Sequence, residues 1–202
     1  MEPQKNRTIN YYENNAMLFA HDTENVVFTD VQVRFLNKLQ QGANILDFGC
    51  GSGRDTRFFL EKGYSVDAID GSAELCRLAS KNTGINVRHM FFSELNEIEK
   101  YDGIWACASI LHLPKDELKK VFEKMIRATK NDGVIYTSFK YGRFEGYRGE
   151  RYYTDFTEES FNLLLEDLKE IKLEDFWVST DVRPNRSNER WLNMILRKSD
   201  TI

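Results

Sequence analysis

The chain has 202 residues, a formal net charge of −4 and a pI near 5.5, with 41% hydrophobic and 30% charged residues. That length suits one domain with a full-sized core, and the acidic balance offers no general attraction to the phosphate backbone of DNA or RNA. No apolar run approaches the ~20 residues of a membrane span, and Met1-Glu2-Pro3-Gln4-Lys5-Asn6-Arg7 lacks the apolar segment of a secretory signal.

Taken in chain order, residues 8–23 are expected to form an N-terminal helix carrying Tyr11 and Tyr12. A second helix is expected over 30–41, with Val31, Phe35 and Leu39 near helical spacing and Gly42 beyond its end. Strands are expected at about 44–48, 65–69, 86–92, 102–107 and 133–139, with helical segments between them. The strongest helical pattern is 115–129. There Leu118, Val121, Phe122, Met125 and Ile126 recur on one face, and Pro114 stands at the opening. Thr157, followed by Glu158 and Glu159, reads as the cap of a helix running to about 169. Two last strands are expected near 171–179 and 190–197. Strands alternating with helices point to a doubly wound α/β sheet. Cys50, Cys76 and Cys107 are odd in number and have no His partners at metal spacing, so reduced cytoplasmic thiols are expected and no metal site.

The most informative run is Asn44-Ile45-Leu46-Asp47-Phe48-Gly49-Cys50-Gly51-Ser52-Gly53. A strand ends in an acid and breaks into glycines spaced two apart, which is a nucleotide-type loop. The dinucleotide pattern G-x-G-x-x-G would need glycine or alanine at 54, where this chain has Arg54. Asp47 would repel a pyrophosphate and suits a ligand with a cationic amine. Asp70 closes the next strand, where an acid bonds ribose hydroxyls. Together these describe S-adenosylmethionine (SAM). The bland alternatives are a plain strand–helix turn for the glycines and a helix cap for Asp70.

Asp-Phe-Gly-Cys-Gly-Ser-Gly followed by Val-Asp-Ala-Ile-Asp-Gly-Ser resembles the cofactor half of class I SAM-dependent methyltransferases. Tyr101-Asp102-Gly103-Ile104-Trp105-Ala106-Cys107-Ala108-Ser109-Ile110-Leu111-His112-Leu113-Pro114 is similar to the fourth-strand motif of the small-molecule, single-domain branch. Lys130-Asn131-Asp132-Gly133-Val134-Ile135-Tyr136 is similar to the turn into its fifth strand. The resemblance implies a three-layer, doubly wound, Rossmann-like fold with a mostly parallel seven-stranded sheet and an antiparallel last strand. It implies one domain over 1–202: a helical lid at 1–42, a cofactor-binding core at 43–140, and substrate-side loops and final strands at 141–202. The cofactor is SAM and the product S-adenosylhomocysteine (SAH). The contacts it implies are Asp47, Gly49, Cys50, Gly51, Gly53, Asp70, Gly71, Phe92, Ser93, Glu94, Ala108 and Tyr12.

Methyl transfer from a sulfonium is an in-line displacement, so positioning in a dry pocket carries most of the catalysis. His112 has two readings, a general base near neutral pH or a pocket-shaping side chain bonded to backbone. Tyr11 and Tyr12 are either a lid or ordinary helix packing. Residues 140–153 and 181–191 mix aromatics with arginines, and Tyr11, Tyr141, Arg143, Arg183 and Arg186 are candidates to hold an anionic small molecule. The alternative is a solvated loop whose arginines pair with Asp155, Glu150 or Glu189. The competing functions are an RNA methyltransferase, a non-catalytic SAM-binding partner, and a nicotinamide oxidoreductase disfavoured by Arg54 and Asp47. The partner expected is a small molecule, with no DNA and no membrane; oligomeric state and acceptor atom stay open.

Overall fold

The computed structural model describes residues 2–183 and 186–199, with side chains described from Arg7 onward. Its sheet has seven strands. In chain order they are β1 (Asn44–Phe48), β2 (Ser65–Asp70), β3 (Arg88–His89), β4 (Tyr101–Ala106), β5 (Thr129–Lys140), β8 (Ile171–Thr180) and β9 (Arg190–Lys198). β6 (Glu145–Arg148) and β7 (Arg151–Thr154) form a separate hairpin. The spatial order is β3-β2-β1-β4-β5-β9-β8, with parallel pairing up to β5 and β9 antiparallel to both its neighbours. The helices are α1 (Glu2–Asn14), α2 (Ala16–Thr23), α3 (Thr29–Leu36), α4 (Arg54–Glu61), α5 (Ala73–Thr83), α6 (Lys115–Ala128) and α7 (Glu158–Glu166).

Alternation along the central strands builds a core on each face of the sheet. Leu46 and Phe48 of β1, Ile104 and Ala106 of β4, and Ile135 and Phe139 of β5 pack with α6 and with Phe161 of α7. Ile45, Trp105, Val134 and Tyr136 point the other way, onto Phe35 of α3 and Phe59 of α4. The apolar stripe of α6 is fully committed: Leu118, Phe122 and Met125 are all completely buried. Each such side chain contributes about 1.5–3 kcal/mol relative to leaving it in water. Trp105 anchors the opposite face, stacked on Tyr136 with ring centroids 4.0 Å apart. Thr157 caps α7 as the sequence suggests, its hydroxyl accepting the Ser160 N–H at 3.3 Å.

Three expectations change. The single N-terminal helix breaks at Asn15, whose side-chain amide donates to the Tyr11 carbonyl at 2.8 Å and competes with the helical ladder. The third strand shrinks from 86–92 to Arg88–His89, because at the sheet edge it pairs with β2 alone. The stretch 141–153, expected as loop, contains the β6–β7 hairpin. Its signal was present: Gly149-Glu150 is a two-residue connection with glycine at positive φ between Tyr147 and Tyr152.

Candidate active site

A cavity of about 580 Å³ opens at the carboxyl ends of β1, β2 and β4, where open α/β sheets bind ligands. Its inner half is built by the glycine loop between β1 and α4. The loop's N–H groups are already engaged: Gly49 and Cys50 donate to the Ile69 carbonyl, Gly51 to the Asp70 carboxylate at 2.9 Å, and Gly53 to Cys50. The glycines therefore give the cavity its shape, with these N–H groups turned onto the protein itself. Gly49 has φ of +88°, and a Cβ there would meet Ser109 Cβ at 2.4 Å. The loop thus lies directly on the end of β4, which no side chain would allow.

Asp70 stands at the tip of β2. Its two oxygens accept the Gly51 and Ser72 N–H groups, both at 2.9 Å, and burial still pushes its pKa up to about 6. Phe92 lines the wall beside it, joined by Phe91. At the end of β4, Ala108 holds a φ of +49°. That strained backbone is pinned from both sides, the Ala108 N–H donating to Ser138 Oγ at 2.9 Å and Ser109 Oγ to the Phe48 carbonyl at 2.6 Å. Arg54, at the first turn of α4, faces the same space and forks onto Asp55 at 2.8 and 2.9 Å. Asp55 also accepts Gln32 Nε2 and Trp105 Nε1, so α3, α4 and β4 hold that carboxylate together. Burial would raise its pKa, but Arg54 outweighs that and keeps it low.

His112 sits in a one-turn helix after β4, with Nδ1 2.6 Å from the Tyr152 carbonyl and Nε2 2.8 Å from the Tyr12 hydroxyl. Burial pushes its pKa down to about 4, Arg151 adding to the effect against the Tyr152 hydrogen bond. It is a neutral imidazole at physiological pH. Tyr12 reaches it from α1, which is tied across the cavity mouth: the Tyr152 N–H donates to Thr8 Oγ1 at 3.0 Å, and Ser72 Oγ donates to Glu13 at 2.6 Å.

The outer half comes from the hairpin and the β8–β9 connection, and it is dense with ion pairs. Lys140 contacts both Glu189 and Asp181; Arg183 binds Asp181, and Arg148 binds the buried Asp155 at 2.8 Å. Arg151 differs. Its guanidinium lies 4.7 Å from the Tyr11 ring centre and 5.5 Å from that of Tyr153, with one N–H 3.3 Å from the Tyr12 hydroxyl. Among the described residues no carboxylate pairs with it, although it lines the cavity.

Residues 45–133 match a family model described as a methyltransferase domain. An uncharacterized methyltransferase of Staphylococcus carnosus is 24% identical over 187 residues, covering 85% of this chain and 89% of that one. The 1,6-didemethyltoxoflavin-N1-methyltransferase of Burkholderia thailandensis, solved with its substrate and SAH, superposes with a TM-score of 0.73 at 24% identity. That match covers 95% of this chain and 85% of that one. A TehB-like SAM-dependent methyltransferase of Corynebacterium glutamicum gives 0.68 at 22% identity, over 96% and 100%. Residues 45–133 thus match a methyltransferase domain, and the fold is one shared with SAM-dependent methyltransferases.

The inner cavity fits SAM chemically. Asp70 is a half-buried carboxylate held at the cavity edge by backbone donors, the Gly51 and Ser72 N–H groups among them, and its oxygens keep acceptor capacity for ribose hydroxyls. Arg54, already forked onto Asp55, keeps one guanidinium nitrogen for the amino-acid carboxylate, and Phe91 and Phe92 offer apolar walls to a purine. Of the sequence-derived contacts, Gly49, Cys50, Gly51, Asp70, Gly71, Phe92, Ala108, Tyr12 and His112 line the cavity, as do Tyr141, Arg183 and Arg186.

Others do not. Asp47 is buried beneath the loop, where its carboxylate accepts the Thr56 hydroxyl at 2.6 Å, and burial followed by the nearby Asp55 drives its pKa up. It belongs to the floor under α4 rather than to the wall. Gly53 packs against Ala79 and Thr83 of α5. Ser93 is exposed, and Glu94 spends its carboxylate on the Phe91 N–H at 2.7 Å, closing a one-turn helix. Tyr11 lies behind Arg151, and Arg143 points to solvent against Glu159 at 2.7 Å. Pro184 and Asn185 lie outside the described residues.

The sequence reading missed Arg54, Phe91, Arg148 and Arg151 as lining residues. Arg54 had been noted only as a break in the dinucleotide pattern. Arg151 could have been found from the hairpin, whose alternation sets Arg151 and Tyr153 on one face. Among the described residues no group of three His, Cys, Asp or Glu side chains is placed to hold a metal ion, and no helix is long and apolar enough to cross a membrane.

Proposed function

We propose that this protein is a class I SAM-dependent methyltransferase acting by in-line displacement on a small anionic molecule. The carrying observation is Arg151: a cation lining the cavity beside Tyr12 and His112 with no carboxylate partner among the described residues. A half-buried guanidinium without a counter-ion attracts an anion, so a substrate oxyanion at that point completes the site. Asp70, Gly71, Phe91 and Phe92 bind the nucleoside, Arg54 the amino-acid carboxylate, and the Gly49–Ser109 contact sets the floor beneath the reacting methyl group. SAM supplies the activated methyl carbon; the protein orients the acceptor against it and keeps water out.

In this reading residues 1–202 act as one domain, with 1–42 as lid, 43–140 as cofactor core and 141–202 as substrate side. The ties from Thr8, Tyr12 and Glu13 across the mouth support the lid role. The arginines of the outer half argue against an RNA track, since Arg148 and Arg183 turn inward onto Asp155 and Asp181 instead of forming an open basic stripe. The free cysteines fit the reducing cytoplasm. A screen of SAH release against small carboxylic acids, phosphorylated metabolites, thiols, amines and metalloid oxyanions tests the proposal. Turnover of a carboxylate- or phosphate-bearing compound, lost in Arg151→Gln, is expected; turnover confined to neutral or cationic compounds would overturn it.

A further inference from the structure

We propose that the substrate presents two adjacent groups to one spot in the cavity, an oxyanion to Arg151 and a protic O–H or N–H acceptor to Tyr12, and that Tyr12 and His112 together remove the acceptor's proton. This rests on the anionic-substrate reading and narrows it. The hydrogen-bond directions follow from the atoms. A carbonyl only accepts, so the 2.6 Å contact to Tyr152 puts the imidazole proton on Nδ1. Nε2 is then bare, and at 2.8 Å the Tyr12 hydroxyl must be the donor. Its proton points at His112, which leaves the hydroxyl oxygen to accept. Arg151 occupies one direction at 3.3 Å, and the other is free for a donor in the cavity that all three side chains line.

Arg151 spends one N–H on Tyr12 and presents its faces to Tyr11 and Tyr153, so its remaining N–H groups stay available to an oxyanion. Both substrate groups then converge on the same phenol oxygen, and they must be neighbours on the substrate skeleton. The groups facing His112 are Tyr12 from α1 and Arg151 and Tyr153 from β7, with Asp70 bearing on Tyr12. No described carboxylate hydrogen-bonds to His112, so the imidazole stays neutral and ready to accept.

The step balances. The acceptor's lone pair forms the bond to the methyl carbon, and the carbon–sulfur electron pair remains on sulfur. The acceptor's proton passes to Tyr12 Oη while the Tyr12 proton passes to His112 Nε2. One positive charge disappears from the sulfonium and one appears on the imidazolium, so the closed site keeps its net charge. Burial and Arg151 both disfavour that imidazolium, and it returns its proton to solvent when the site opens.

The test is calorimetry of 2-hydroxybenzoate and 4-hydroxybenzoate with the SAH-saturated enzyme. The isomers share charge and atoms and differ in the distance from oxyanion to O–H. The 2-isomer is expected to bind at least about tenfold more tightly, Tyr12→Phe to remove that advantage, and Arg151→Gln to weaken both by about tenfold or more. Equal binding, preference for the 4-isomer, or no binding of either overturns the proposal. Failure of SAH itself to bind would instead sink the cofactor reading. Independently, ¹⁵N NMR of His112 should show a protonated Nδ1 and a bare Nε2 at pH 7; the opposite tautomer or an imidazolium rules out the relay. With an acceptor in hand, Tyr12→Phe should lower kcat by about 10²-fold and change KM for SAM less than about threefold. The variant's rate should climb with pH toward the acceptor's pKa while the wild type stays flat; a loss equal at every pH would make Tyr12 a packing residue only.

Discussion

The two halves of the cavity satisfy their charges in different ways. On the inner side, Asp70 is held by the Gly51 and Ser72 N–H groups, partners no more than 19 residues away along the chain. On the outer side, Lys140 reaches Asp181 and Glu189 across 41 and 49 residues. Backbone donors in a tight loop fix a carboxylate wherever the loop forms. Side-chain pairs depend on which acid each cation finds once the whole fold has closed. The inner half holds its carboxylate with backbone donors, whereas the outer half relies on side-chain pairs, some near in sequence (Arg183 with Asp181, Arg148 with Asp155) and some far (Lys140 with Asp181 and Glu189); Arg151 takes no carboxylate among the described residues.

The sharpest way to break the inner half is Gly49→Ala. The residue sits at φ +88° and its new Cβ would press on Ser109 at 2.4 Å, so backbone strain and overpacking add. The loss should be about 2–5 kcal/mol in urea unfolding, with SAH binding abolished. A variant of unchanged stability would mean that the loop rests on something other than this contact.

Asp70→Ala probes the ligand side of the same device. It removes a charged acceptor and should weaken SAH by about 1.5–3 kcal/mol in calorimetry, while leaving the Gly49–Ser109 contact intact. Undiminished affinity would place the ribose elsewhere.

His112, at the seam between the halves, gives a pH signature. Its folded pKa of about 4 lies below the ordinary 6.5. The unfolded chain therefore binds a proton first as pH falls, and stability present above pH 6.5 is lost progressively down to about pH 4. Between pH 7 and 5 this costs about 2 kcal/mol. Asp70 acts in the opposite sense, since its raised pKa favours the folded state as pH falls. The contribution of His112 is therefore read as the difference between wild type and His112→Gln at the two pH values. A constant difference would show that the ring is hydrated and not buried between Tyr12 and Tyr152.

The same contrast explains what was legible beforehand. The strand–loop–helix at Asp47–Arg54, the acid at Asp70 and the placement of His112 are encoded within short windows, and the seven-stranded order follows from the family they resemble. Asp47 was misplaced because strand parity, rather than motif, decides which face it takes: it shares the α4 face with Ile45 and is sealed under Thr56. Glu94 was misplaced because a free carboxylate three residues after Phe91 closes its own turn. In the outer half, composition identified the right segments and Asp155 as an acid open to pairing, yet which arginine takes Asp155 and which takes Asp181 is a property of the folded hairpin and strand ends. Those pairings leave Arg151 and the exposed Arg190, stacked on Tyr141, as cavity-lining arginines without a carboxylate partner among the described residues.

Arg143→Ala is the smallest expected effect and separates the segment from the site. Arg143 and Glu159 are each three-quarters exposed, so their 2.7 Å contact is a surface ion pair screened by water and salt. The substitution should leave turnover and SAH affinity unchanged and move thermal unfolding within experimental scatter. A clear loss of activity would mean that the hairpin's base swings inward when substrate binds, and that the outer half recruits a second cation beside Arg151.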